Sequence, residues 1–124
     1  MSNHALISIV DDDTSVRESL QGLIRSVGFA VAVFASAEEF LNSERLLDTR
    51  CLILDVRMPG MSGLELQRRL AASHCDIPVI FITGHGDEAA RWQALKNGAV
   101  NYLFKPFSEE VLLGAIYLAL NGRP

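Results

Sequence analysis

Three kinds of side chain in this sequence suit the handling of a charged ligand: carboxylates, a hydroxyl and an amine. Each stands just after a short apolar run. Asp11 and Asp12 follow residues 6–10, Asp55 follows 51–54, Thr83 follows 79–82 and Lys105 follows 100–104. Carboxylates gathered at one place repel. Two unit charges 4 Å apart cost about 1 kcal/mol in bulk water and about 4 kcal/mol at an effective dielectric of 20. A hard divalent cation removes that cost, and a donor set of oxygens and waters favours Mg2+. A lysine with a hydroxyl beside it suits an arriving anion, phosphoryl above all. A carboxylate nucleophile that forms an aspartyl phosphate is an established class of covalent chemistry. The cation and the lysine would offset the charge on the equatorial oxygens.

For these residues to meet, the elements carrying them must end at one rim. Residues 6–10, 29–34, 51–54, 79–82 and 100–104 read as strands, mostly apolar on both faces, as parallel strands covered on each side should be. Helical patterns lie between them. Ser36 with Glu39 and Ser62 with Glu65 have capping-box spacing, Asp13, Asp87 and Ser108 suit helix starts, and Gly28, Gly98 and Gly122 suit helix ends. Alternating βα units predict an α/β fold, a doubly wound (βα)5 parallel sheet with right-handed crossovers.

Ligands of such sheets bind beyond the carboxyl ends of the strands, at the switch point of strand order. The order 2-1-3-4-5 sets strands one and three side by side and leaves the second, which ends in Phe34-Ala35, on the edge. Neighbouring strands are about 4.8 Å apart, so Asp12 and Asp55 could grip one ion. In the order 3-2-1-4-5 they would stand roughly 10 Å apart, too far for short carboxylates to share Mg2+ with its bonds of about 2.0–2.1 Å. The long stem of Lys105 spans the remaining gap.

Composition narrows the classes. The 124 residues suit one domain, residues 1–124, and 49% hydrophobic with 21% charged residues is an ordinary globular balance. Two cysteines, Cys51 and Cys75, imply no disulfide framework, and a cytoplasmic setting is expected. The apolar runs fall short of the roughly 18 residues a membrane span needs, and the N-terminus lacks the basic start of a signal peptide. A net charge of −4 with only two lysines makes a poor nucleic-acid binder. DNA contact would require a further domain.

Four separated segments resemble response-regulator receiver domains: Val10-Asp11-Asp12-Asp13, the stretch from Leu54 to Gly63 with Asp55-Val56-Arg57-Met58-Pro59-Gly60, the stretch from Ile82 through Thr83 to Asp87, and Lys105-Pro106-Phe107. The Thr83–Asp87 segment is most similar to the FixJ-like subgroup, and the resemblance covers essentially the whole chain. It implies the flavodoxin-like receiver fold and a role in two-component signalling, with Asp55 taking phosphoryl from a sensor histidine kinase. It implies that Asp12 ligates Mg2+ directly and Asp11 through water, with Asp55 and the Arg57 backbone carbonyl completing the protein ligands. Thr83 and Lys105 would hold phosphoryl oxygens, Tyr102 would be the aromatic switch that follows Thr83, and the Lys105–Pro106 peptide would be cis. Such a domain catalyses only its own phosphotransfer and slow dephosphorylation. It answers by changing the face built from the fourth helix, fifth strand and fifth helix.

The last helix is apolar over more than one stripe, with Val111, Leu112, Leu113, Ala115, Ile116, Leu118, Ala119 and Leu120. The surplus suggests a phosphorylation-dependent homodimer through the output face. The output domain is expected outside this chain, with transcription as its target or with the receiver acting alone. No membrane partner is expected.

Plainer readings stand beside these. Tyr102 could be a packed strand aromatic, His85 a surface-loop residue and Trp92 either core or output face. Cys51 reads as buried, and His74-Cys75 lacks the further ligands of a zinc site. Two other functions compete. Residues 7–15 come close to the opening motif of haloacid-dehalogenase-type phosphatases, which would make Asp11 the nucleophile, but Ser15 stands where Thr or Val belongs. A receiver-like module that binds partners without phosphorylation is the other. A flavin phosphate would be repelled by Asp11-Asp12-Asp13.

Overall fold

The computed structural model describes residues 5–84 and 87–121. Five strands, β1 (Leu6–Val10), β2 (Ala30–Phe34), β3 (Thr49–Asp55), β4 (Val79–Thr83) and β5 (Asn101–Phe104), alternate with α1 (Thr14–Ser26), α2 (Ala37–Leu41), α3 (Gly63–Ala72), α4 (Glu88–Lys96) and α5 (Glu109–Asn121). All strand pairs are parallel and the order is β2-β1-β3-β4-β5. This is the doubly wound α/β sheet that the strand-end argument requires.

Alternation along each strand builds two cores. Ile7, Ile9, Cys51, Ile53, Ile80, Ile82 and Leu103 pack under Leu20 and Ile24 of α1 and Leu112 and Ile116 of α5. Val10, Leu52, Leu54, Phe81 and Tyr102 point the other way, beneath Phe40 of α2, Leu66 and Leu70 of α3 and Ala94 of α4. Burial of both faces explains why these strands read as nearly continuous apolar runs. Cys51 is fully buried, which pushes its thiol up to about 12 and makes it a packing residue.

The helix starts follow the sequence signals. Ser36 and Ser62 accept hydrogen bonds from the Glu39 and Glu65 amides, and Ser108 accepts one from Val111. Asp13 caps α1, and Asp87 caps α4. Gly28 and Gly98 take positive φ at the ends of α1 and α4. Gly122 lies outside the described residues. His74, with φ 58, fills the same left-handed role after α3 without being glycine.

Boundaries differ from expectation mainly at β3. It begins two residues early because the Thr49 and Ser8 hydroxyls bond at 2.7 Å, which lets a polar residue enter the buried sheet. It also runs through Asp55, which pairs in register with Ile82 of β4. The nucleophile candidate therefore sits on the last rung of a central strand. A one-turn 3-10 helix, Leu46–Asp48, connects α2 to β3 and carries no sequence signal of its own.

Candidate functional site

The carboxyl ends of β1, β3, β4 and β5 form a cleft of about 280 Å³. Asp11, Asp12, Asp55, Arg57, Thr83 and Lys105 all line it. One carboxylate oxygen from each of Asp11, Asp12 and Asp55 lies within 4.8 Å of the other two. Among the described residues this is the group of acidic, histidine or cysteine side chains arranged as for a metal. Asp11, Asp55 and Thr83 are buried, whereas Asp12 is exposed at the mouth. Tyr102 does not line the cleft. It packs in the core against Phe81 and Phe104, and its hydroxyl is buried without a hydrogen-bond partner among the described residues. His85 lies outside the described residues.

Asp11 is tightly engaged. Oδ1 accepts the Asp13 amide at 2.9 Å, Oδ2 accepts the Lys105 ammonium at 3.1 Å, and its carbonyl accepts Arg17 Nη1 at 2.7 Å. The ammonium that would meet an anion is thus stored on a buried carboxylate. Lys105 itself is held by its amide, which bonds the Thr83 carbonyl at 2.7 Å, and its peptide bond to Pro106 is cis.

Asp55 carries the electrostatic strain of the site. Burial, chiefly, pushes its carboxyl up to about 6; the Asp11 charge adds to this, Lys105 opposes it, Asp12 adds further, and the Arg57 backbone amide lowers it. A buried acid with two further carboxylates beside it is a place where a bound cation would relieve the crowding of charge. The all-oxygen donor set fits Mg2+.

Several residues support the site from outside the cleft, and two of them, Glu38 and Arg17, lie outside the sequence motifs. Glu38 of α2 accepts the Met61 amide at 3.0 Å and braces the loop after Asp55. Gly60 in that loop has φ +78, where a side chain would also meet the Glu38 carboxylate. Gly63 lies so close that a Cβ would overlap the Asp55 carbonyl oxygen, so α3 can start there only without a side chain. Arg17 was findable in principle, because a cation in the opening turns of a helix runs against the helix dipole. The Arg57 side chain reaches Asp87, at 3.1 Å.

Residues 7–117 match the family model for the response regulator receiver domain. Response regulator protein TmoT of Ectopseudomonas mendocina is 53% identical over 120 residues, covering 97% of this chain and 54% of TmoT. Transcriptional regulatory protein FixJ of Bradyrhizobium diazoefficiens is 40% identical over 120 residues, 97% of this chain and 58% of FixJ. The crystal structure of FixJ-N superposes with a TM-score of 0.87 at 42% identity, covering 100% of this chain and 98% of that one. The chain spans about half the length of the curated relatives it matches.

Proposed function

The chain belongs to the response-regulator receiver domain family, and from that premise we propose that it is a Mg2+-dependent phosphoacceptor whose nucleophile is Asp55. The observation that carries this reading is the convergence of Asp11, Asp12 and Asp55 with Thr83 and Lys105 in one cleft at the strand ends. Asp12 and Asp55 would hold the cation directly, the Arg57 carbonyl would join them, and Asp11 would act through water. Bound Mg2+ supplies positive charge to phosphoryl oxygens.

The protein's own groups do the rest. An Asp55 carboxylate oxygen attacks phosphorus as the bond to the donor imidazole nitrogen of a sensor histidine kinase breaks. The electron pair leaves with the imidazole, which then takes a proton. The Lys105 ammonium leaves Asp11 for a phosphoryl oxygen, and the Thr83 hydroxyl donates to another. Water later attacks the same phosphorus, returning Asp55 and releasing phosphate. The domain therefore catalyses its own phosphorylation and slow dephosphorylation and is not a conventional enzyme. Asp11 is the poorer nucleophile, since both of its carboxylate oxygens already accept hydrogen bonds.

The response is a population shift. Movement of Thr83 toward phosphoryl lets Tyr102 repack and changes the α4-β5-α5 face. On that face Trp92, Phe104, Val111 and Leu118 are exposed, which supports a phosphorylation-dependent homodimer. The chain spans only 58% and 54% of two relatives named as transcriptional regulators, so DNA contact is assigned to a region beyond the receiver, in a cytoplasmic regulator. Acetyl phosphate with Mg2+ should label the wild type, and EDTA or Asp55→Asn should abolish labelling. Labelling retained by Asp55→Asn would move the nucleophile elsewhere.

A further inference from the structure

Arg57 borders two clefts, the acidic one and a second between the β3–α3 loop and α4. Its backbone amide stabilises the Asp55 carboxylate. Its side chain donates from Nη2 to Asp87 Oδ2 at 3.1 Å, across thirty positions of sequence. Asp87 Oδ1 meanwhile accepts the Ala89 and Ala90 amides at 3.0 and 3.4 Å, forming the N-cap of α4. One carboxylate thus ties the residue beside the phosphoacceptor to the first turn of an output helix.

Capping alone does not require this arrangement. The helices α2, α3 and α5 start on the neutral hydroxyls of Ser36, Ser62 and Ser108, each accepting one amide; α1, like α4, starts on an aspartate, but of the two only Asp87 also pairs with a cation among the described residues. A cap needs one oxygen and no charge. The second oxygen and the charge of Asp87 are surplus to the helix start and are spent on Arg57. Arg57 is restrained at both ends. Any shift of its backbone when an anion joins Asp55 must carry Asp87 along or break the pair.

We infer that Asp87 is a positioning residue for phosphoryl acceptance, which through Arg57 holds the segment after Asp55 and transmits occupancy of the cleft to the N-terminus of α4. This rests on the reading of Asp55 as phosphoacceptor. Coupling between two sites is reciprocal, so loosening the pair also weakens occupancy of the cleft. Both partners are partly exposed, the guanidinium 59% and the carboxylate 38%. The effect is therefore modest, about threefold and at most about fivefold in affinity, as for other exposed ion pairs.

The chain provides its own reporter. Trp92, the single tryptophan, lies on α4 five residues after Asp87, is 64% exposed, and has the Lys96 ammonium 4.8 Å from its ring centroid. The experiment titrates Mg2+ with beryllofluoride as phosphoryl mimic in wild type, Asp87→Asn, Arg57→Gln and the double variant. Asparagine caps as well as aspartate, and Arg57→Gln leaves the cap untouched. The expected result is a wild-type change in Trp92 emission, lost or more than halved in each single variant, with a Mg2+ midpoint raised about threefold. The double variant should match either single, and all differences should shrink in 1 M salt. Singles that match wild type, effects that multiply in the double, or a silent Trp92 in a protein that labels from acetyl phosphate would overturn the inference. A wild type that takes no label from acetyl phosphate would instead overturn the phosphoacceptor reading, and this inference with it.

Discussion

Asp55 holds its proton more firmly in the folded protein than a free aspartate does, and that has a signed consequence. The folded-state value is about 6 against a reference of 3.8. A raised carboxyl stabilises the fold while protonated, below about pH 4, and this contribution is lost as pH rises through about 6. In EDTA, Asp55→Asn should therefore melt increasingly above wild type between pH 4 and 6, then level off. The difference at the plateau is bounded by about 3 kcal/mol. Equal melting curves at pH 8 would contradict the crowding of charge. Asp12→Ala should also abolish Mg2+-dependent labelling, but with a smaller gain in metal-free stability, because Asp12 is exposed and acts on Asp55 less than Asp11 does. The acidic, hydroxyl and amine residues were legible in the sequence because parallel strands deliver their last residues to one rim. The storage of Lys105 on Asp11, and the reach of Arg57 to Asp87, were not. Both depend on side-chain direction between residues 94 and 30 positions apart.

At the scale of elements, the site depends on how closely α3 approaches β3. The Gly63 amide bonds the Val56 carbonyl at 2.9 Å, and its α-carbon faces the Asp55 carbonyl. Gly63→Ala places a methyl against backbone that cannot rotate away. It should destabilise the fold by about 1–3 kcal/mol and slow phosphoryl uptake by displacing Asp55, as read by thermal unfolding and acetyl phosphate labelling. An unchanged melting temperature would show that the approach is looser. The motif containing Gly63 is visible in the sequence, but its reason is a distance between α3 and β3, which no spacing reveals. Strand order, by contrast, was expected from assuming one site shared by Asp12 and Asp55, and from the resemblance to receiver domains. The early start of β3 was missed because threonine and serine read as polar until their mutual hydrogen bond is seen.

For the whole molecule, the two covered faces of the sheet still leave apolar side chains in solvent, Trp92 of α4, Phe104 of β5 and part of α5 among them. Leu112, Ala115 and Ile116 satisfy the core, while Val111, Tyr117 and Leu118 of α5 are exposed. The excess apolar pattern of this helix was readable, and the structure divides it between core and surface. Among the described residues, no helix is long and apolar enough to cross a membrane. Sedimentation velocity of the chain with Mg2+ and beryllofluoride should show a dimer that the untreated chain lacks, and Leu118→Glu should return it to monomer. Monomer mass in both states at high concentration would remove the dimer.

In the proposed reaction one carboxylate, at the end of β3, accepts the phosphoryl group. Borohydride reduction of the acetyl-phosphate-treated protein, followed by peptide mapping, reads that residue directly. Reduction at position 55 alone is the predicted result. Reduction at position 11, or at no residue of the acidic cleft, would contradict it.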